Sequence, residues 1–455
     1  MSTRVWWLRR DLRVADHPAL LTAADGGAVV PLFVLDPALW AAAGAPRQAR
    51  LLASLRSLDA DLRDRYAVSL VVRIGSPLTV VPALATEVGA VAVHVTAETT
   101  PYGRRRDTAV RAALNAQGRE LVATGTAYAI GPGTVRTGGG TPYRVFTPFA
   151  RAWRALGAPG PAPAPSRLIG LRAVPSDDLP LVESSGVAAE GVVAGESAAR
   201  VRWEEFLRDG VADYGERRDR PDLDGTSRLS AALKFGEVHP RTLLAELGRS
   251  PAAGSPGATT FVTELAWREF YADVLWHHPA SAWSDLRPMA GMVYDEPSAG
   301  FEAWRAGRTG FPFVDAGMRQ LAATGWMHNR VRMVTASFLV KDLHVWWPHG
   351  ARHFMALLAD GDLASNSHGW QWCAGTGTDA APYFRVFNPV GQGLRFDPDG
   401  AYVRRWVREL AHVPGAAAHE PWRHPQGYAA GYPTRILDHA VERAEALRRY
   451  AATRT

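Results

Sequence analysis

Four side chains in the stretch ELAWREFY stand where a helix would line them up: Glu264, Trp267, Arg268 and Tyr271, at i, i+3, i+4 and i+7. A carboxylate, an indole, a guanidinium and a phenol along one stripe can stack a base and hold a phosphate, because a ring face accepts any base and the guanidinium supplies charge. The same spacing allows a Glu264–Arg268 ion pair on a solvated face with Trp267 in the core. Upstream, GTSRLSAALKF sets Thr226, Ser227 and Ser230 around Arg228 just ahead of a helical pattern. Hydroxyls and free backbone N–H groups at a helix N-terminus suit phosphate, and a plain N-cap would use them equally well.

In GWMHNRVRM, the polar residues His328, Asn329, Arg330 and Arg332 crowd against Val331 and Met333. Guanidinium groups this close to apolar side chains need an anion, since unpaired buried charge is costly; Arg332 facing Asp360 or Asp362 of DGD is one solution. The segment SNSHGWQWCAGTGTDAAPYFRVFNP, from Ser365 to Pro389, places Trp370 and Trp372 two apart among glycines and polar residues. That composition predicts a loop packed against something, with a structural Trp corner as the alternative. No pair of histidines shows ligand spacing next to carboxylates or thiolates, so no metal site is expected. GxSxG, Walker A and Rossmann GxGxxG patterns are absent, which removes the main support for hydrolase, kinase and dehydrogenase readings.

The elements that must position these residues fall into two kinds. Val5–Leu8, Ala28–Asp36, Val68–Gly75 and Ala90–Glu98 are short β-rich runs, and Ala49–Tyr66 between them has apolar residues at helical spacing. Strand–helix alternation predicts a doubly wound parallel-sheet α/β domain over residues 1–130, whose ligands sit beyond the carboxyl ends of the strands. Residues 131–200, with GPGTVRTGGG and APGPAPAPS, predict a long linker. From 201 to 445 the pattern is helical, as in 259–279 and 330–350, which predicts an all-α domain.

Composition bounds the partners. Lys and Arg number 51 against 45 Asp and Glu, a formal charge of +6 that fits an anionic partner such as nucleic acid, and sixteen tryptophans suggest aromatic surfaces for a planar ligand or bases. Cys373 is the only cysteine, so no internal disulfide can form and a reducing cytoplasm is the expected compartment. The N-terminus lacks a signal-peptide apolar core, and no apolar run approaches the roughly twenty residues of a membrane span.

Five stretches, in order, carry a resemblance: WLRRDLRVADHPAL, GTSRLSAALKFGEVHPR, ELAWREFYADVLWHHP, RTGFPFVDAGMRQLAATGWMHNRVRMVTASFLVKDL and DGDLASNSHGWQWCAGTGTDAAPYFRVFNP. They resemble the DNA photolyase/cryptochrome family, and within it are most similar to class I cyclobutane pyrimidine dimer photolyases. The resemblance implies an N-terminal antenna domain, a linker and a helical domain holding FAD, with light-driven electron transfer from reduced FAD to a cyclobutane dimer in UV-damaged DNA. By motif position it assigns FAD contacts to Tyr214, Thr226, Ser227, Arg228, Leu229, Ser230, Arg332, Asp360, Gly361, Asp362 and Asn366. Asn366 would face flavin N5. Glu264, Trp267, Arg268, Tyr271, Asn329, Arg330, Met333, Trp372 and Gln392 would meet the DNA, which enters with the dimer flipped out of the duplex. Trp370 and then Trp347 would carry electrons that reduce oxidised FAD under light.

Two positions depart from the family pattern. The usual outer tryptophan of the electron path falls on Tyr294, which can carry an oxidising equivalent only by losing its phenolic proton. SNSHG replaces the usual pair of asparagines followed by glycines. For the antenna, TTPYGRRRD resembles members that bind 8-hydroxy-5-deazaflavin; 5,10-methenyltetrahydrofolate is the second choice, and Arg50 is an expected antenna contact. A monomer is expected. A cryptochrome photosensor is the rival reading; retention of Glu264, Trp267, Asn329, Met333 and Trp372 together favours repair. A (6-4) photolyase would show histidines at Asn329 and Met333, and a non-catalytic nucleic-acid-binding protein would need no flavin motifs.

Overall fold

A computed structural model describes residues 2–171, 173–182 and 192–453, which fold as two compact units. The first comprises Met1–Ala212 and Ser227–Pro279; the second comprises Asp213–Thr226 and Ala280–Thr455.

The first unit is built on a parallel sheet of β1 (Ser2–Leu8), β2 (Gly27–Leu35), β3 (Val71–Ile74), β4 (Ala90–Ala97) and β5 (Glu120–Thr126), in the order β3-β2-β1-β4-β5. Alternation along β1 explains why it sits at the centre. Val5 and Trp7 pack into one core with Val81, Leu84 and Leu114, while Trp6 and Leu8 point the other way into a core with Leu55, Leu58 and Leu62. The helices Pro18–Ala24 and Ala45–Tyr66 thus cover one face, and Pro77–Glu87 and Pro101–Asn115 the other. The four predicted strands are all present. β5 has no counterpart among them, because ELVATGT contains few apolar residues and only Leu121 is fully buried at this sheet edge.

The 22-residue helix Pro256–His277 belongs to the same unit and starts at Ser255, whose hydroxyl accepts from Ala258 N at 3.1 Å. Its buried Glu269 accepts from the backbone N–H groups of Ala129 and Ile130, each at 3.1 Å, and Asp273 accepts from Gly133 N at 2.6 Å. These carboxylates pin the glycine-rich start of the predicted linker to the helix.

The second unit is helical. Pro312–Thr324, Asn329–Lys341, Trp347–Leu357 and Leu363–Ala374 surround a core containing Trp304, Phe311, Phe313, Phe338, Trp347, Phe354 and Trp370. The continuous helical pattern expected over 330–350 is broken in two. His344 adopts a left-handed φ of 54°, Val345 bridges to Asp295, and Pro348, which lacks a backbone donor, is accommodated in the first turn of a new helix.

The segment around Trp370 and Trp372, expected as a loop, is the helix Leu363–Ala374. Asp362 caps its start by accepting from Ser365 N at 3.0 Å, and Gly375 ends it at a left-handed φ of 82°. Ser367, Trp370, Gln371 and Ala374 are all buried along one face. Burial of that face outweighs the weak helix propensity of the serines, asparagine and glycine.

Candidate active site

The predicted residues divide between the two units. In the first, the helix Pro256–His277 presents Glu264, Trp267, Arg268 and Tyr271 on one stripe, as their spacing requires. Trp267 is half-buried, with Phe146 stacked on it at 3.7 Å and 9° between planes, and Tyr271 at 5.3 Å. One face of the indole is therefore fixed by protein. Arg268 donates to the carbonyls of Ala127 (3.3 Å) and Leu233 (3.0 Å) and lies 4.4 Å over the Tyr128 ring. Neutral carbonyl oxygens orient this guanidinium without cancelling its charge.

Ser227, Arg228 and Leu229 lead into the short helix Ser230–Phe235. Arg228 is exposed at a left-handed φ of 52°, a conformation that costs a residue with a Cβ and that clusters at ligand-binding turns. Leu229 is buried beneath it, and Ser227 accepts through its carbonyl from Arg202 Nε at 3.1 Å. Arg50 donates through Nε to the fully buried Glu237 at 3.1 Å and through Nη1 to Val193 O at 2.7 Å. It is thus the counterion of a buried carboxylate.

In the second unit, Asn329 and Arg330 open the helix Asn329–Lys341 behind an N-cap at His328. Arg330 meets Asp219 in a forked pair, Nη2 to Oδ2 at 2.9 Å and Nε to Oδ1 at 3.3 Å, and lies 4.4 Å over Phe396. Asn329 is exposed and Met333 half-buried one turn on. Arg332 pairs with Asp360, Nη2 to Oδ2 at 2.8 Å, and holds Met327 O at 2.7 Å. The other carboxylate oxygen, Asp360 Oδ1, is buried with no donor among the described residues. An acceptor in that state calls for a ligand N–H or O–H. Gly361 and Asp362 follow directly and start the next helix. Tyr214 is buried in this unit, with the Arg218 guanidinium 5.7 Å over its ring, and Thr226 lies at its chain boundary. Gln392 sits on the helix Pro389–Phe396, its Oε1 buried with no partner among the described residues.

The helices Trp347–Leu357 and Leu363–Ala374 interlock. Asn366 Nδ2 donates to Ala351 O at 3.1 Å, Trp370 packs on Phe354 at 5.0 Å, and the bare backbone of Gly350 faces the Trp370 ring. Trp347, one turn before Gly350 on the same face, is fully buried and donates from its indole to Asp285 Oδ1 at 2.6 Å. Tyr294 is partly buried, and its hydroxyl is buried with no partner among the described residues. Burial, then the charge of Asp285, holds its phenolic pKa well above the usual value.

Several residues of this arrangement went unmarked in the sequence: Phe146 under Trp267, Asp219 under Arg330, Trp304 at 6.1 Å from Trp370, and Asp285. None of them carried a local signal: Asp285, for example, lies 62 positions from its Trp347 partner.

Two family models match the chain: DNA photolyase over residues 4–166, and the FAD binding domain of DNA photolyase over residues 261–452. The deoxyribodipyrimidine photo-lyase of Streptomyces griseus is 45% identical over 452 residues, covering 98% of each chain. A bacterial class III photolyase from Agrobacterium tumefaciens superposes with a TM-score of 0.92 at 34% identity, covering 100% of this chain and 98% of that one. An archaeal photolyase from Sulfolobus tokodaii, solved with two FAD molecules, gives a TM-score of 0.86 at 30% identity, covering 99% and 100%. With two family models covering most of its length and a full-length relative at this identity, the chain belongs to the DNA photolyase family and carries that family's FAD-binding domain.

Proposed function

We propose that this protein repairs cyclobutane pyrimidine dimers in UV-damaged DNA by light-driven electron transfer, as a monomeric cytoplasmic enzyme. The observation that carries the reading is the helix Leu363–Ala374, which joins the capping Asp362, Asn366, the buried Trp370 and the half-buried Trp372 in one element beside the Arg332–Asp360 pair. FAD, when bound in its reduced form, supplies the electron after absorbing light. The orphan acceptor Asp360 Oδ1 fits a flavin ring N–H, and Asn366 stands on the helix that follows, with an amide suited to N5. Tyr214, Thr226 and the Ser227–Ser230 segment would hold the remainder of the cofactor, the hydroxyls taking its phosphates.

The other residues bind and orient the substrate. Trp267 and Trp372 would stack on bases, Glu264 and Asn329 would hydrogen-bond base edges, and Tyr271, Met333 and Gln392 would contact the DNA, which enters with the dimer flipped out. Arg268 and Arg330 would attract the flanking phosphates. Trp370 and Trp347 would pass electrons inward when the cofactor needs reducing. For the antenna, 8-hydroxy-5-deazaflavin is the first choice on the strength of TTPYGRRRD, with 5,10-methenyltetrahydrofolate second; mass spectrometry of chromophores released from purified protein decides between them. Among the described residues, no helix is long and apolar enough to cross a membrane.

The test is direct. Fully reduced, FAD-loaded protein under blue light should restore a dimer-containing oligo(dT) to intact thymines. Bound FAD without restoration would overturn repair in favour of a photosensor, and protein purified without any flavin spectrum would overturn both.

A further inference from the structure

Resting on that reading, we propose that Trp346 is the exit of the internal electron path, with Asp285 as its proton acceptor and Tyr294 bypassed. Trp347 is sealed from solvent, so no reductant in solution can reach it. Its chain neighbour Trp346 is only partly buried, and the two indole rings lie 6.5 Å apart in a T-shaped arrangement. Both indole N–H groups point at one oxygen, Asp285 Oδ1, at 2.6 Å from Trp347 and 3.4 Å from Trp346. A carboxylate so placed stabilises positive charge on either ring and can receive a proton from the outer one.

Two competing routes, through Tyr294 and through Trp304, are closed by their surroundings. Tyr294 can yield an electron only with its phenolic proton, and its buried hydroxyl faces no acceptor among the described residues. Trp304, 6.1 Å from Trp370, is wholly buried and donates its N–H to the carbonyl of Thr335 at 3.0 Å, which cannot take a proton at neutral pH. An oxidising equivalent on Trp304 must return the way it came.

The step balances as follows. One electron passes from Trp346 to the radical cation of Trp347, which becomes neutral. The Trp346 cation releases its indole proton to the Asp285 carboxylate, leaving a neutral indolyl radical. A thiol in solution then donates a hydrogen atom to that radical, restoring the indole and becoming a thiyl radical, and the protonated Asp285 returns its proton to the medium.

Time-resolved absorption and electron paramagnetic resonance of the FAD-loaded protein, with dithiothreitol as the thiol, identify the radical. A long-lived neutral tryptophanyl radical and no tyrosyl signal are expected, lost in Trp346→Phe. In Asp285→Asn, which keeps a hydrogen-bond acceptor but removes the base, the tryptophanyl species should persist in its protonated cation form. A tyrosyl radical in the unmodified protein, or an unchanged long-lived radical in Trp346→Phe, overturns the assignment of Trp346. Unaltered deprotonation in Asp285→Asn overturns that of Asp285. Failure of the underlying reading looks different: no radical pair forms in the unmodified protein at all, or Trp370→Phe leaves the pair intact.

Discussion

Trp370 and Trp372 stand two residues apart on one helix and therefore about 200° apart around its axis. The first is 2% exposed against Phe354 and Trp304, while the second is half-buried on the opposite side. One short element thus presents an aromatic ring to the interior and another to its surface. The two should fail separately. Trp372→Ala removes the proposed stacking surface, worth about 1–3 kcal/mol, so affinity for a dimer-containing oligonucleotide should fall by roughly fivefold to a hundredfold or somewhat more while photoreduction of bound FAD persists. Trp370→Phe should do the reverse, blocking photoreduction and leaving binding intact. Fluorescence anisotropy and steady-state illumination read the two quantities; a common loss in both variants would refute the division.

Gly350 is required by contact rather than by backbone freedom. A Cβ built there would fall 2.7 Å from Trp370 Cζ3, closer still to Cη2 of the same ring, and 2.5 Å from Leu339 Cδ2. Gly350→Ala should cost about 1–3 kcal/mol, the range for overpacking a filled core, despite alanine's better helix propensity. Thermal unfolding measures this, and a raised Tm would show that the two helices can part.

Much of this was legible in the chain. The β-rich runs of the first unit and the stripe Glu264–Trp267–Arg268–Tyr271 follow from periods of 2 and 3.6. The Arg332–Asp360 pair was one of the solutions that a buried guanidinium demanded. The helix Leu363–Ala374 was not legible as a helix, because composition rich in Ser, Asn and Gly reports local propensity and not the buried face that overrides it. The same holds for β5, where an edge position lets a strand form without an apolar run. Partners distant in sequence, such as Asp219 for Arg330 and Glu237 for Arg50, leave no local trace because pairing is decided by tertiary proximity.

The Arg332–Asp360 pair joins a carboxylate with a side chain 3% exposed to a guanidinium 25% exposed. Arg332→Ala would leave that carboxylate buried without its cation, and breaking a buried pair from one side typically costs about 3–5 kcal/mol. Asp360→Asn keeps one acceptor for Arg332 and should cost less stability. It should nevertheless weaken FAD retention, since the change reaches the orphan Oδ1 position. Denaturant unfolding of both variants, beside the flavin-to-protein absorbance ratio after gel filtration, separates the two effects. Full FAD retention in Asp360→Asn would remove Asp360 from the cofactor site.

His94 on β4 gives the fold a pH dependence of its own. Both ring nitrogens are buried without hydrogen-bond partners among the described residues, and burial, then the charge of Arg4, lowers its pKa to about 4. The unfolded chain binds a proton at this residue near its ordinary value of about 6.5, whereas the folded chain resists until about 4. The unfolded state therefore holds more protons across that window, and by linkage stability must fall as pH drops from about 6.5 towards 4. At about 1.4 kcal/mol per pKa unit, this single site accounts for up to about 3 kcal/mol. His94→Phe places a ring of similar shape with nothing to titrate, so its loss of stability between pH 7 and pH 4 should be smaller than that of the unmodified protein. Urea midpoints at a series of pH values make the comparison, and parallel curves for the two proteins would show that His94 does not set the acid limit.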